Sequence, residues 1–71
     1  MEQKIEKPTV LLRRTEVESR VALGRTALLK RVAKGTFPRP IRLGGTRTVR
    51  WAATEVDAWI AQQINQARKG V

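Results

Sequence analysis

The side chains in this sequence that could do chemistry are cations, and they are concentrated in one stretch. Between residues 19 and 54 the sequence has nine Lys and Arg residues and no Asp or Glu. Segments 1–18 and 55–71 each carry equal numbers of acids and bases, so the net charge of +9 belongs to the central stretch. A block of like charge repels itself, and a polyanion relieves that repulsion. The charge pattern therefore favours a nucleic acid ligand over an anionic membrane or an acidic protein.

Composition excludes most other kinds of site. The 71 residues include no Cys and no His, which rules out disulfides, thiolate metal sites and the usual zinc finger. The few acids outside the first eight residues suggest no acid–base pair, so we expect no enzyme activity, no metal and no cofactor. No apolar run approaches the roughly 20 residues of a membrane span, and the mixed charges of the first ten residues lead us to expect no secretory signal. We expect a cytoplasmic protein that does not bind membranes.

Helical patterns predict the elements that must position these cations. Thr15-Glu16-Val17-Glu18 matches a capping box, which predicts that a first helix begins near Glu16. A final helix is predicted from about 52–54 to about Ala67, because apolar residues recur there at spacings of three and four. That apolar stripe consists of Val56, Trp59, Ile60, Ile64 and Ala67.

A second helix is predicted from Arg25 to Lys34, after a turn at 22–24 and before Gly35. Leu28, Leu29 and Val32 are expected to face the core. The opposite face has no acid, and two short helices joined by such a turn form a helix-turn-helix unit. Its second helix is the one that usually enters the major groove. The residues of this helix predicted to bind DNA are Arg25, Thr26, Lys30, Arg31 and Lys34.

A hairpin is predicted after an elbow at 37–40, whose two prolines exclude helix. Segments 41–43 and 48–51 alternate with period two around Gly44-Gly45, which is a hairpin signal. We expect an apolar inner face of Ile41, Leu43, Val49 and Trp51 and an outer face of Arg42, Thr48 and Arg50. The hairpin residues predicted to bind DNA are Arg42, Thr46, Arg47 and Arg50. A Walker-type phosphate loop is disfavoured because its longer glycine spacing is absent.

These elements predict one α+β, mostly α domain, a small winged helix-turn-helix with three helices and a two-stranded wing. An extended segment at 10–12 is expected to pin the N-terminus to the core, and both Trp residues are assigned to the core. The predicted boundaries are a flexible tail at 1–8, the DNA-binding domain at 9–67 and a flexible tail at 68–71.

Several short runs resemble the AlpA family of phage- and island-encoded regulators. Across residues 10–62 the resemblance is carried by Leu11-Leu12-Arg13, Thr15-Glu16-Val17, residues 23–28, the run from Lys34 to Pro40, Leu43-Gly44-Gly45, Arg50-Trp51 and residues 55–60. The resemblance implies a MerR-like winged helix, related to phage excisionases, that binds double-stranded DNA. Family members commonly have Gly at position 22, Ser at 24 and Tyr at 29, where this chain has Ala22, Gly24 and Leu29.

Two roles on a mobile element, a prophage or genomic island, follow from the resemblance. The chain is expected to act as an excisionase, a recombination directionality factor that bends attachment-site DNA for integrase. The alternative is transcriptional regulation of integrase or excision genes without an architectural role. Expected partners are duplex DNA, integrase and further copies of the chain loaded cooperatively, with localisation to the nucleoid through DNA.

The sequence is also compatible with two more remote hypotheses. Basicity alone would suit an RNA-binding module, although the assignment of all three aromatic residues to the core leaves none for base stacking. A protein adaptor retained on DNA by charge would tolerate changes at Lys30 and Arg47, whereas a DNA reader would not.

Overall fold

The chain follows the predicted order of elements in a computed structural model that describes residues 10–69. The elements are β1 (Leu11–Leu12), α1 (Arg14–Val21), α2 (Arg25–Lys34), β2 (Ile41–Arg42), β3 (Val49–Ala52) and α3 (Ala53–Lys69). The α+β class and the three helices are confirmed, in an arrangement compatible with a small winged helix-turn-helix. The tail predicted at 1–8 lies outside the described residues, as do Gly70 and Val71.

The sheet has three antiparallel strands in the order β1-β3-β2, one more than the predicted two-stranded wing. β1 pairs Leu11 with Ala52 and Leu12 with Trp51. The backbone N–H of Ala53 also donates to the carbonyl of Val10 at 2.8 Å. The extended segment at 10–12 therefore anchors the N-terminal side of the domain, as predicted, by joining the sheet.

The predicted faces of the hairpin are wrong, because the observed pairing of its strands places different residues on each face. Ile41 pairs with Arg50 and Arg42 with Val49, and directly paired residues project from the same face of an antiparallel sheet. Val49 and Trp51 share the face that packs on the core, so Arg42 lies on that face and Ile41 lies on the opposite one. Arg42 and Arg50 consequently project from opposite faces of the hairpin.

The first helix begins two residues earlier than predicted, and its cap uses a different acid. Arg13 is the N-cap, with extended backbone, and its backbone N–H donates to Oε1 of Glu16 at 2.7 Å. Glu18 instead pairs with Arg14. The helix can start immediately after β1 because Glu16 occupies the third helical position, where an acid reaches back to the N-cap amide.

The predicted bounds of α2, Arg25 to Lys34, are confirmed. Gly24 is its N-cap, and Gly35 ends it with φ of +79°, where the backbone N–H of Thr36 donates to the Arg31 carbonyl at 2.9 Å. This is the pattern of a glycine-terminated Schellman motif. The preceding turn contains Ala22, whose φ of 57° and ψ of 38° are left-handed. An L-residue with a Cβ pays about 1–2 kcal/mol for that conformation.

The core lies between the sheet and all three helices. Its buried members are Leu12, Val17, Leu28, Phe37, Trp51, Ala53 and Val56. The predictions for Leu28, Phe37 and Trp51 are confirmed, whereas Leu29, predicted to face inward, is 40% exposed. Leu29 lies about 100° around the helix from Leu28, which turns it away from the core. Trp59 packs against this core but is only partly buried.

α3 begins where predicted and continues through Lys69, beyond the expected end at Ala67. Val56 and Ala53 anchor its first turns in the core, while Ile64 is 46% exposed. The apolar stripe therefore runs past the part of the helix that the domain covers. None of the helices among the described residues combines the length and hydrophobicity that crossing a bilayer requires.

Candidate nucleic-acid interface

The solvent-facing side of α2 carries most of the cations predicted to bind DNA. Leu28 is fully buried and Val32 packs partly against the core, which fixes the rotation of the helix. At 100° per residue, Lys30 then points almost directly away from the core. The other exposed residues of this helix are Arg25, Thr26, Ala27, Leu29, Arg31, Ala33 and Lys34. Ala27 and Ala33 are small, so the helix backbone can approach a flat or grooved partner closely.

Three of these cations surround one depression at the C-terminal half of α2. The depression has a volume of about 380 Å³ and is lined by Ala27, Lys30, Arg31, Lys34 and Thr36. Arg25 and Thr26 do not line it and lie at the opposite end of the helix. The five residues predicted on α2 thus divide into a group of three at the depression and a pair near the N-terminus of the helix.

Arg31 is supported by an aromatic side chain from α3. Its guanidinium carbon lies 5.8 Å from the centroid of the Trp59 ring, within the range of a cation–π interaction. Trp59 Nε1 donates to the carbonyl of Thr36 at 2.8 Å, and its ring meets Phe37 edge-on with centroids 4.8 Å apart. The Thr36 hydroxyl donates in turn to the Arg31 carbonyl at 3.3 Å. One edge of the depression is therefore held by contacts between α2, the elbow and α3.

The hairpin presents its predicted residues in different ways. The Leu43 amide donates to the Thr48 carbonyl at 2.9 Å, which leaves the loop 44–47 at the tip. Arg42 and Arg47 are exposed. Arg50 is half-buried, and its Nη1 donates to the Val49 carbonyl at 2.8 Å.

Thr46 is the predicted hairpin residue whose hydroxyl is already engaged within the loop. Its Oγ1 donates to the Leu43 carbonyl at 2.9 Å and accepts from the Thr48 amide at 3.1 Å. Gly45, with φ of +70°, allows the turn that brings these groups together. The hydroxyl of Thr46 therefore stabilises the tip and the exposed position of Arg47.

The cations of α2 and the hairpin form no ion pair with an acid within the described part of the chain. Across residues 10–69 two ion pairs form, Arg14 with Glu18 and Arg20 with Asp57, the second at 3.0 Å. Both lie outside α2 and the hairpin. The positive charge of the central stretch is thus retained on the folded surface, where it attracts anions.

A second and larger concavity lies between the elbow and α3. It has a volume of about 850 Å³, and Pro40, Ile41, Glu55, Trp59 and Gln62 are among the residues that line it. Arg39 is its one cationic lining residue, and the acid Glu55 lines it as well. The depression on α2, with three cations and no acid, is the better match to a phosphate group.

Two contributors to this surface were missed by sequence reasoning. The sequence predicts Trp59 in the core and no role for Thr36, yet both support the Arg31 edge of the depression. No local pattern links Trp59 to Arg31, because they belong to separate helices that only the fold brings together. Thr36 could have been noticed through its position directly after Gly35, at the end of α2.

Comparison with known proteins agrees with the small basic domain described above. Residues 10–64 match the family described as "Prophage CP4-57 regulatory protein (AlpA)". The chain is also similar to "Uncharacterized protein ORF88" of Enterobacteria phage P4, at 37% identity over 59 residues. That alignment covers 83% of this chain and 66% of the phage protein.

No solved structure shows significant similarity to the chain. The family match extends from the residue before β1 into α3 and so includes α2 and the hairpin. With most of the described domain matched, the chain belongs to the AlpA family of prophage regulatory proteins.

Proposed function

We propose that this protein is a double-stranded DNA-binding regulator in which α2 enters the major groove and the hairpin contacts the adjacent backbone or minor groove. The observation that carries the proposal is the solvent-facing side of α2, where Lys30, Arg31 and Lys34 meet no carboxylate within residues 10–69. The major groove is about 12 Å wide and admits one α-helix.

The division of α2 into two groups suggests two kinds of contact. Arg25 and Thr26 are exposed at the N-terminal end, the end from which recognition helices usually contact base edges. Arg25 is suited to a guanine edge, as is Lys30 near the middle of the helix. Arg31 and Lys34 are suited to phosphate, which sets register without reading sequence.

The hairpin contributes cations from both faces in this proposal. Arg42 and Arg47 are exposed and free to follow the DNA backbone. Arg50, which is bonded to its own strand, would need to leave the Val49 carbonyl to contact DNA. Thr46 would act mainly by holding the tip, since its hydroxyl bonds within the loop.

The direct experiment is binding to a DNA duplex as a function of salt. If about six cations contact phosphate, the logarithm of the binding constant should fall against the logarithm of salt concentration with a slope near −5. A slope shallower than about −2 would contradict an extensive phosphate interface. Structured RNA as a competitor completes the test, because preferential displacement by RNA would favour the RNA-binding alternative.

We further propose that the regulator serves a mobile element by acting as an excisionase, a recombination directionality factor. Membership of a prophage regulatory family and similarity to a phage P4 protein support this setting. In such a role the protein would bend attachment-site DNA for integrase in the host cytoplasm, associated with the nucleoid. Transcriptional control of integrase or excision genes is the alternative.

An excision assay separates these two roles. Purified integrase, attachment-site DNA and the chain are combined, and excision product is measured with and without the chain. Stimulation of excision in the absence of transcription supports the architectural role. Unchanged excision together with altered transcription from an integrase promoter would support the alternative.

Cooperative loading of several copies is the third part of the proposal. A single module of this kind buries about 600–1,000 Å² of its own surface on DNA, which is small for site selection by one copy. Footprinting at increasing protein concentration should reveal protection spreading over adjacent sites. Protection that stays at one isolated site up to saturation would count against cooperative loading.

A further inference from the structure

The guanidinium of Arg31 is restrained by an indole rather than by a carboxylate. It lies over the Trp59 ring at 5.8 Å, and neither ion pair within residues 10–69 includes it. A cation–π contact limits the movement of the guanidinium without using its N–H groups, which stay able to donate to a ligand. Arg31 is therefore partly ordered before any ligand arrives, unlike a free surface arginine.

Trp59 is itself fixed in place by two contacts outside α3. Its Nε1 donates to the Thr36 carbonyl at 2.8 Å, and its ring packs edge-on against buried Phe37 at an interplanar angle of 63°. The indole is thus held at the end of α2 by the elbow. Its orientation, and with it the position of Arg31, depends on the tertiary fold.

The ligand that suits this arrangement is one tetrahedral oxyanion. Lys30, Arg31 and Lys34 line the same depression of about 380 Å³. Arginine offers paired N–H donors to two phosphate oxygens, and lysine adds point charges. The Thr36 hydroxyl already donates to the Arg31 carbonyl, so the cationic side chains supply the donors.

We propose that Trp59 is a positioning residue that holds Arg31 to bind one backbone phosphate of the duplex, together with Lys30 and Lys34. This assignment rests on the DNA-binding function proposed above. It makes the C-terminal half of α2 a fixed anchor that sets the register of the helix on DNA.

A double-mutant cycle on the full chain tests the assignment. Arg31→Ala, Trp59→Leu and the double variant are compared with the unmodified protein for affinity to a duplex of arbitrary sequence across a salt series. Arg31→Ala should reduce the magnitude of the salt slope by about 1. Trp59→Leu should weaken binding about threefold in the unmodified protein, but by less than about 1.5-fold once Arg31 is absent.

A matched cycle separates positioning from a general loss of structure. Arg42→Ala on the hairpin removes an exposed cation of the same charge, so its effect should simply add to that of Trp59→Leu. Equal coupling of Trp59 to Arg31 and to Arg42 would mean that the indole only supports the fold, which would overturn the assignment. Additive effects of Arg31→Ala and Trp59→Leu would also overturn it.

A second variant covers the case in which Trp59→Leu fails to fold by circular dichroism. Trp59→Phe keeps a smaller ring beneath Arg31, so coupling in the same direction but weaker is expected. NMR of the DNA-free protein gives an independent measurement, because the Trp59 ring current should shift the Arg31 Nε–H proton and Trp59→Phe should reduce that shift. An Arg31 signal at its unperturbed position would overturn the assignment.

The experiment distinguishes this assignment from the function on which it rests. If the unmodified protein shows no salt-dependent binding to duplex DNA, the proposed function fails and the assignment fails with it. If the protein binds but the Arg31–Trp59 cycle is additive, the assignment alone fails.

Discussion

The indole N–H of Trp59 donates to the backbone carbonyl of Thr36 at 2.8 Å. A second indole makes a similar bond two residues further along the chain, where Trp51 Nε1 donates to the Pro38 carbonyl at 2.9 Å. Among the described residues no backbone N–H donates to either of these two carbonyls between α2 and β2, and the two indoles supply the donors. Trp51 belongs to β3 and so ties the hairpin to this connection, whereas Trp59 ties the end of α2 to α3.

Replacing each tryptophan by Phe should reveal an unequal effect on stability. Trp51→Phe removes a bond in a site where the side chain is 1% exposed, so we expect a loss of about 2–3 kcal/mol from the unpaired carbonyl and the cavity. Trp59→Phe should cost about 1 kcal/mol, because water can reach the Thr36 carbonyl at this partly exposed site. Urea unfolding measures both, and equal losses would contradict the difference in burial.

Glycine at position 22, in the turn between α1 and α2, should stabilise the protein. Ala22 has φ of 57°, and Ala22→Gly removes the steric cost of that conformation, for an expected gain of about 0.5–1 kcal/mol. Ala61→Gly is the matched control, an exposed position within α3, where the same change should cost about 1 kcal/mol. In thermal unfolding, the melting temperature should rise for Ala22→Gly and fall for Ala61→Gly.

The hairpin tip offers a similar pair of neighbouring glycines. Gly45 has φ of +70°, and a Cβ at either Gly44 or Gly45 would meet nothing within 4 Å. Gly45→Ala should therefore destabilise by about 1–2 kcal/mol through backbone strain alone, while Gly44→Ala should change stability by less than about 0.5 kcal/mol. Chemical denaturation of both variants is the measurement, and similar losses would show that the turn is not held as described.

Removing a cation from the predicted contact surface should weaken DNA binding more than removing a cation from elsewhere on the protein. Lys30→Ala removes a cation from the centre of the α2 face and should reduce duplex affinity about five- to tenfold near 0.1 M salt, with the salt slope reduced by about 1. Arg68→Ala removes the same charge from the last turn of α3 and should change affinity less than about twofold. Equal effects would indicate attraction by net charge alone.

Features determined by short-range chemistry were predictable. The glycines at 24 and 35 enclose α2, and its bounds follow from them together with the spacing of Leu28 and Val32. The lack of acids between residues 19 and 54 is a property of the sequence itself, and it identifies the basic surface before any fold is known. Local capping and charge patterns act through neighbouring residues, so the sequence displays them directly.

Features that depend on pairing between distant segments were decided by tertiary structure. Alternation assigns faces within one strand, but the loop 44–47 sets which residues meet across the hairpin, and its length places Arg42 and Arg50 on opposite faces. Tertiary structure also decided that β1 joins the sheet as a third strand, and that the two indoles donate to carbonyls between α2 and β2. The sequence alone thus determined where the positive charge and the helices lie along the chain. Only the folded chain decided which cations share a face and which of them is held by Trp59, because those relationships arise from contacts between residues far apart in sequence.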